Sequence, residues 1–152
     1  MHIHHYHSPI GMIEIKANDD ALLELNLIKE NENLSSDNSI IQSACFQLSE
    51  YFEGKRKNFN LPLSLEGTEF QKKVWKELQN IPYGKTISYA DLARRIGHPK
   101  AYRAVGSANG KNPIAIIIPC HRVITSDGNP GGYAYGLKIK KYLLDLENKQ
   151  LI

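Results

Sequence analysis

SYADLARRIGHPKAYRAVGSANG, residues Ser88–Gly110, predicts two short helices separated by a tight turn. Ser88 and Asp91 have the spacing of a capping box, with Asp in place of the usual Glu or Gln, so we expect the first helix to begin here. Gly97 breaks that helix, and the proline two residues later suits the first turn of a second helix over residues 100–109. This pattern is typical of a helix-turn-helix, although many helical proteins contain such a pair.

The second of these helices carries unusually small residues, among them Ala101 and Gly106. Glycine in a helix interior is about 1 kcal/mol less favourable than alanine, so Gly106 requires an explanation. Tight packing against another helix would explain it, and so would a close approach of the backbone to a narrow DNA groove. Arg103 projects from the same helix, and by itself it indicates only a solvated side chain.

Charge is distributed unevenly along the chain. Residues 1–65 contain 5 Lys or Arg and 9 Asp or Glu, whereas residues 66–152 contain 14 and 7. A basic second half indicates a polyanionic partner, usually DNA or RNA, or simply a solvated basic surface.

The first half of the chain has the pattern of strands followed by a helix. Apolar residues alternate with polar ones over residues 13–16 and 23–27, which predicts two strands joined by a turn at Asn18–Asp20. Helical spacing over residues 40–52 predicts a helix, and residues 55–67 resemble a connecting strand and linker.

We place a domain boundary near Leu65. The fold class is therefore predicted to be α+β, with a small β-rich domain over residues 1–65 and a helical domain over residues 66–152 that contains the helix-turn-helix.

A reactive group follows the apolar run Ile114–Ile118, which we interpret as a buried strand. Cys120 comes directly after it, beside His121 and Arg122. Positive charge or a nearby base lowers the pKa of a thiol and favours the nucleophilic thiolate. A buried structural cysteine and a Cys-His hydrolase of the papain type remain open alternatives on this chemistry alone.

Several classes of protein are disfavoured by composition. The chain has 152 residues, is 41% hydrophobic and 23% charged, and contains no apolar run of membrane-spanning length. The N-terminus lacks an apolar signal core, so we expect both cysteines to stay reduced. Four histidines lie within residues 2–7, but we expect them on a solvated strand and predict no metal site.

The segment Ile118–Val123, IPCHRV, resembles the acceptor-cysteine motif of the O6-alkylguanine-DNA alkyltransferases. The resemblance covers residues 66–149, and residues 1–65 are similar to the family's variable N-terminal domain only loosely. Further matches occur in the family's order and spacing at Val74–Trp75, Ile81–Gly84, Thr86–Tyr89, Arg103–Gly106, Asn112–Pro113, Gly132–Tyr133 and Leu143–Glu147.

The resemblance implies roles for five catalytic residues. Cys120 would accept the alkyl group, and His121 would draw the thiol proton through a water molecule. Glu147 would orient His121, as the third member of a triad does. Asn112 would be the hinge between the recognition helix and the acceptor segment. Tyr89 would help to flip the nucleotide and donate a proton to the leaving guanine.

The resemblance also implies a DNA surface. Arg103 would enter the duplex in place of the flipped base, while Ala101 and Gly106 would lie in the minor groove. Ser126 would contact the DNA backbone. Three residues would surround the flipped base, namely Val123, Tyr133 and Ala134, the last standing where some relatives carry serine.

Taken together, the family implies direct reversal of alkylation damage without a cofactor. The partner would be double-stranded DNA containing O6-alkylguanine or O4-alkylthymine, bound by a monomer in the cytoplasm at the nucleoid. It also implies a ribonuclease-H-like first domain and a winged-helix-like second one. Two tyrosines are bulkier than the residues that some relatives have at these positions. Tyr135 would narrow the base pocket, and Tyr102 would alter the contacts with the groove. A lesion binder without transfer activity and a Cys-His hydrolase are the alternatives.

Overall fold

The computed structural model describes residues 1–29 and 33–149, with the side chain of Lys149 left out. The chain folds into two compact units. The first comprises Met1–Leu65 together with Pro113–Ala115, a short segment that we expected in the second domain. The second comprises Glu66–Asn112 and the chain from Ile116 onward. Within the described ranges, no helix is both long enough and apolar enough to cross a bilayer.

The first unit contains a three-stranded antiparallel sheet and one helix. The strands follow chain order across the sheet and are β1 (His2–Ser8), β2 (Gly11–Ala17) and β3 (Leu22–Ile28). The predicted alternation is confirmed in β2, where Ile13, Ile15 and Ala17 are fully buried. The predicted turn is also confirmed. The side chain of Asn18 accepts hydrogen bonds from the backbone N–H groups of Asp20 and Ala21, which closes the β2–β3 hairpin.

Helix α1 (Ser39–Phe52) agrees with the predicted helix over 40–52. Asn38 caps its N-terminus by accepting a hydrogen bond from the Ile41 N–H at 3.0 Å. The predicted strand within 55–67 is wrong, because that segment forms only an isolated bridge between Leu63 and Leu22. Pro62 lacks a backbone donor and cannot extend a ladder.

The histidines of β1 make hydrogen bonds within the first unit. His2 contacts Asp19 at 2.8 Å, and His5 contacts Glu14 at 2.9 Å. The Nδ1 atoms of His4 and His5 accept from backbone N–H groups of residues 36 and 34. In the part of the chain that the structure describes, no three His, Cys, Asp or Glu side chains are grouped so as to hold a metal ion.

The second unit is mainly helical. It contains α2 (Glu69–Leu78), β4 (Ile87–Ser88), α3 (Tyr89–Arg95), α4 (Tyr102–Gly110), β5 (Val123–Ile124) and α5 (Leu137–Lys149), with β4 and β5 paired in parallel. The capping box of α3 is confirmed: the Ser88 side chain accepts from the Asp91 N–H, and the Asp91 side chain accepts from the Ser88 N–H.

Helices α3 and α4 form the predicted helix-turn-helix, with Gly97 between them at φ +80°. Helix α4 begins at Tyr102, two residues later than predicted. Its N-cap is Ala101, whose side chain makes no capping hydrogen bond. Trp75 of α2 donates a hydrogen bond of 2.8 Å from its indole N–H to the carbonyl of Ala108, which fixes α4 against α2.

The predicted strand Ile114–Ile118 is wrong, although the prediction that it is buried holds for four of its five residues. Apart from an isolated bridge at Ile114, the segment consists of turns, and Ile116 has φ +71°. Cys120 accordingly does not end a strand. It opens a 3-10 helix, Cys120–Arg122. An apolar run without periodicity shows that residues are buried, but it does not distinguish a strand from a buried turn.

Candidate active site

The centre of the site is a carboxylate shared by two consecutive side chains. Glu147, on α5, accepts a hydrogen bond of 2.7 Å from His121 Nε2 at its Oε2. Arg122 donates from Nε to Oε1 at 2.8 Å and from Nη2 to Oε2 at 3.0 Å. The 3-10 helix allows both neighbours to reach one carboxylate, which a strand would prevent by pointing them to opposite faces.

Glu147 is ionised in this arrangement although it is 1% exposed. Burial raises its pKa, but hydrogen bonds and charges from His121 and Arg122 outweigh that effect and bring the pKa to about 2. The backbone N–H of Gly84 contributes a further, longer contact of 3.3 Å.

His121 is the residue of this cluster that can act as a base. Its ring is fully buried, and burial lowers its pKa, assisted by the charges of Arg122 and Lys140 and opposed by Glu147. The imidazole is therefore neutral at neutral pH. Because a carboxylate only accepts, Nε2 carries the hydrogen and Nδ1 is the basic nitrogen. Nδ1 is buried and has no hydrogen-bond partner among the described residues.

Cys120 lies at the N-terminal end of the same 3-10 helix and is 6% exposed. The expectation of a lowered thiol pKa is wrong: burial raises the pKa of Cys120 and outweighs the hydrogen bond from the Asn112 side chain and the charge of Lys140, which both lower it. Arg122 is the neighbour from which we expected positive charge, but its guanidinium is directed to Glu147. The thiol is consequently protonated at neutral pH and requires a base to react.

Two asparagines hold the backbone around the cysteine. Asn112 donates from Nδ2 to the carbonyl of Ile118 at 2.7 Å, and the same carbonyl accepts from the Cys120 N–H at 2.8 Å. Asn109, at the end of α4, donates a longer bond of 3.4 Å to the carbonyl of Cys120. The predicted hinge residue Asn112 thus links the segment after α4 to the chain just before the cysteine.

A cavity of about 510 Å³ opens beside α3 and α4. Its lining residues are Tyr89, Ala90, Tyr102, Gly106, Thr125 and Ser126. Arg103 and Ser126 are not buried, and Ala101 and Gly106 are half-buried. A methyl group added at Gly106 would meet only ordinary contacts of 3.7 Å and 3.8 Å with the Tyr89 ring, so packing inside the protein does not require glycine there.

The residues predicted to surround the flipped base differ in how far they are buried. Val123 is fully buried in β5, whereas Ala134 is not buried. The Tyr133 hydroxyl is buried without a hydrogen-bond partner in the described residues, and its ring contacts that of Tyr135 edge-on at 5.6 Å. None of these residues is in the wall of the 510 Å³ cavity as the described side chains form it.

Tyr89 connects the cavity to the cysteine. Burial and the nearby Cys120 raise the pKa of its hydroxyl, and a hydrogen bond from the backbone of Gly132 partly offsets this. A phenol with a raised pKa keeps its proton at neutral pH and can donate it.

Lys140 is a member of the site that we did not predict. It is fully buried, and its ammonium acts on both Cys120 and His121. The signal is present in the sequence, since Lys140, Leu143 and Glu147 follow the i, i+3, i+7 spacing of one helix face.

Two family models match nearly the whole chain. "6-O-methylguanine DNA methyltransferase, ribonuclease-like domain" matches residues 1–65, and "6-O-methylguanine DNA methyltransferase, DNA binding domain" matches residues 69–149. The chain belongs to the 6-O-methylguanine DNA methyltransferase family. The resemblance inferred from the acceptor motif is confirmed, and every candidate residue lies within the match to the DNA binding domain.

Individual members of the 6-O-methylguanine DNA methyltransferase family agree over the full length. The methylated-DNA–protein-cysteine methyltransferase of Methanosarcina barkeri is 50% identical over 150 residues, which covers 95% of each chain. The crystal structure of Mycobacterium tuberculosis OGT in complex with DNA superposes with a TM-score of 0.91 at 43% identity, covering 99% of this chain and 94% of that one. An O6-methylguanine DNA methyltransferase from Methanococcus jannaschii has a TM-score of 0.69 at 30% identity, covering 97% and 92%. These structures confirm the predicted α+β fold.

Proposed function

We propose that this protein repairs DNA by moving an alkyl group from guanine O6 to the sulfur of Cys120, once per molecule. The observation that carries the proposal is the 2.7 Å hydrogen bond between His121 and Glu147, which leaves a basic ring nitrogen on the residue next to a protonated cysteine. Proteins of this family are named for transfer to a protein cysteine, and Cys120 stands in the matching motif.

The transfer balances without a cofactor. His121 Nδ1 takes the thiol proton, directly or through a water molecule, and Glu147 keeps the ring in the tautomer that makes Nδ1 the acceptor. The thiolate attacks the alkyl carbon, a carbon–sulfur bond forms, and the carbon–oxygen bond breaks with its electron pair remaining on guanine. Tyr89 donates a proton to the departing base and is reprotonated by the proton held on His121. The products are guanine and a thioether.

The DNA must present its base outside the stack for this to occur, which costs a few kcal/mol. We assign Arg103 to the gap that the base leaves, because it is an exposed cation on the first turn of α4. Ala101 and Gly106 would let α4 approach the minor groove closely, and Ser126 would contact the DNA backbone. Val123, Tyr133 and Ala134 would surround the base.

The partner is therefore double-stranded DNA with O6-alkylguanine, and with O4-alkylthymine as a second substrate of the same chemistry. A monomer suffices, since every proposed catalytic group comes from one chain. We expect it to act on chromosomal DNA, in the cytoplasm at the nucleoid. A lesion binder without transfer activity would need no nucleophile at position 120, and a Cys-His hydrolase would turn over repeatedly.

Intact-mass measurement after incubation with duplex DNA containing O6-methylguanine tests the proposal. We expect a gain of one methylene, located on the peptide that contains Cys120, and a limit of one methyl per protein molecule. Cys45→Ser should behave like the wild type, because Cys45 lies outside the acceptor motif and burial raises the pKa of its thiol to about 11. Cys120→Ser should gain nothing. Folded wild-type protein that shows no mass gain would overturn the proposal.

A further inference from the structure

Asn109, near the C-terminal end of α4, has a buried side-chain oxygen with no hydrogen-bond partner among the described residues. The residue is 4% exposed, and its Nδ2 donates to the carbonyl of Cys120 at 3.4 Å. That contact fixes the orientation of the amide, because a rotated amide would place two acceptor oxygens against each other. A buried polar atom without a partner costs about 1–3 kcal/mol, so Oδ1 of Asn109 requires an explanation.

A second buried acceptor in the same situation belongs to the residue after Cys120. Nδ1 of His121 carries no hydrogen, because the hydrogen of the neutral ring is on Nε2, and it has no partner in the described part of the chain. Both acceptors are attached to one peptide group: the Asn109 amide donates to its oxygen, and His121 supplies its nitrogen. The two atoms cannot satisfy each other, because neither has a hydrogen to give.

The backbone on both sides of Asn109 is fixed by hydrogen bonds. Trp75 donates from its indole N–H to the carbonyl of Ala108 at 2.8 Å, and the carbonyl of Asn109 accepts from the backbone N–H of Asn112 at 3.3 Å. An amide held in this way is already in place before the reaction and does not have to be ordered during it.

Water is the ligand whose chemistry matches the two acceptors. One water molecule donates two hydrogens, one for each acceptor, and its oxygen can accept a further hydrogen bond. Buried waters in proteins make about three hydrogen bonds to polar groups that otherwise have no partner. The donor for the third bond is the thiol of Cys120, which burial keeps protonated at neutral pH.

We infer that Asn109 is a positioning residue whose Oδ1, together with Nδ1 of His121, holds one water molecule that relays the thiol proton of Cys120. The inference rests on the proposed function, because it concerns the first step of the same transfer. The thiol hydrogen passes to the water oxygen as one water hydrogen passes to Nδ1, which leaves a thiolate, an imidazolium and an intact water molecule. The hydrogen bond to Asn109 is kept throughout, so the water does not have to reorient.

A high-resolution crystal structure of the wild-type protein tests the inference without DNA. We expect one water oxygen to lie about 2.5–3.2 Å from both Oδ1 of Asn109 and Nδ1 of His121. A structure in which no water bridges these two atoms, or in which a protein group occupies that position, would overturn the inference.

Asn109→Leu tests the role in the reaction, because leucine is similar in volume and has no polar atom. In single-turnover reactions with duplex O6-methylguanine, we expect the maximal transfer rate to fall roughly 10-fold or more, since a positioned base contributes about 100-fold or more. DNA affinity should change by less than about threefold, since Asn109 is buried and contributes no charge to phosphate contacts.

Gln47→Met is the matched control for the loss of a buried amide. Gln47 is 6% exposed in the first unit, and its side chain bonds in both directions to the backbone of Asn60, at 3.0 Å and 2.8 Å. This variant should lose stability as Asn109→Leu does, because both lose a hydrogen bond to a backbone group. Its transfer rate should equal that of the wild type.

The NMR resonance of the Nδ1 nitrogen of His121 separates this role from a merely structural one. In the wild type and in Gln47→Met it should lie where an imidazole nitrogen that accepts a hydrogen bond lies. In Asn109→Leu it should move toward the value of a nitrogen that accepts none, because the water has lost its second anchor. An unaltered resonance, or an unaltered transfer rate, in Asn109→Leu would contradict the inference.

The wild-type crystal structure decides the inference even if Asn109→Leu does not fold. Neither that structure nor the NMR resonance requires alkylated DNA. A wild-type protein that accepted no methyl group would therefore reject the proposed function, while the presence or absence of the shared water would still decide the role of Asn109.

Discussion

Arg122 donates two hydrogen bonds to the carboxylate of Glu147, from Nε at 2.8 Å and from Nη2 at 3.0 Å. Its third contact, from Nη1 to the carbonyl of Ile81 at 2.7 Å, fixes the plane of the guanidinium. The charge of Glu147 is therefore already matched when His121 hydrogen-bonds to it. In a triad whose carboxylate has no other cation, the carboxylate would favour the imidazolium more strongly. Burial is the largest cause that lowers the pKa of His121, and the charge of Arg122 adds to it, so the imidazole is neutral and can accept a proton.

Arg122→Met should raise the pKa of His121, because it removes a charge that lowers this pKa and exposes the ring to the full charge of Glu147. A larger fraction of His121 is then protonated at neutral pH, so the transfer rate should fall there and its pH midpoint should move upward. Losing one partner of a buried pair should also lower the free energy of unfolding by about 3–5 kcal/mol. Single-turnover rates between about pH 5 and 9 measure the shift.

The matched control for this change is Arg56→Met, since Arg56 pairs with Glu50 at 2.8 Å at a partly exposed position in the first unit. It should leave the pH profile unaltered. A profile of Arg122→Met identical to that of the wild type would show that Arg122 does not tune His121.

Stability should depend on the ionisation of Glu147. Its pKa of about 2 lies below the unfolded value, so the folded state gains about 3 kcal/mol that is present above roughly pH 5 and is lost as the pH falls toward 2. The lowered pKa of His121 also makes stability decline as the pH falls, because this histidine takes up its proton at a higher pH in the unfolded chain than in the folded protein. Urea unfolding at several pH values should show this decline, and in Glu147→Gln the free energy of unfolding should fall less steeply with pH. An equally steep fall in both proteins would show that the lowered pKa of Glu147 does not cause the decline.

Gly131→Ala should slow transfer by disturbing Tyr89. Gly131 has φ +74°, and a methyl group there would be 3.1 Å from the Tyr89 ring and 3.2 Å from its hydroxyl. Gly128→Ala provides the control, since Gly128 also has a positive φ of +88° but faces open space. Both variants should lose about 1–2 kcal/mol of stability from backbone strain, and only Gly131→Ala should lose additional transfer rate. Equal rates in the two variants would contradict the role given to Tyr89.

Asn112→Ala should affect both the backbone and the thiol. The variant leaves the carbonyl of Ile118 with only one of its two donors and removes the side-chain hydrogen bond that lowers the pKa of Cys120. We expect a loss of about 1–3 kcal/mol in unfolding free energy and a higher thiol pKa. Asn80→Ala, at an exposed position, should change neither quantity. Iodoacetamide titration of Asn112→Ala with an unaltered midpoint would rule out the thiol contact.

The parts of the fold that sequence predicts well are those governed by neighbouring residues. The Ser88 and Asp91 caps act three residues apart, and the alternation in β2 acts two residues apart, so local pattern specifies both. Contacts across long separations are accessible only through family resemblance, as with His121 and Glu147, which are 26 residues apart.

Sequence does not predict two features of the molecule, each for a different physical reason. The run Ile114–Ile118 resembles a strand because burial alone carries no period. Lys140 escapes prediction because lysine is rarely buried, so a lysine on an apolar helix face is normally interpreted as exposed.

Ile116 is a β-branched residue with φ +71°, a conformation that costs about 1–3 kcal/mol in an unsupported chain. Its side chain is 1% exposed, so only the completed core can compensate for that cost. The turn before Cys120 is therefore unstable once the packing around it is lost. The arrangement of Cys120, His121 and Glu147 should be lost in a single cooperative event, so cleavage by a protease near residue 116 should report global unfolding rather than local fraying.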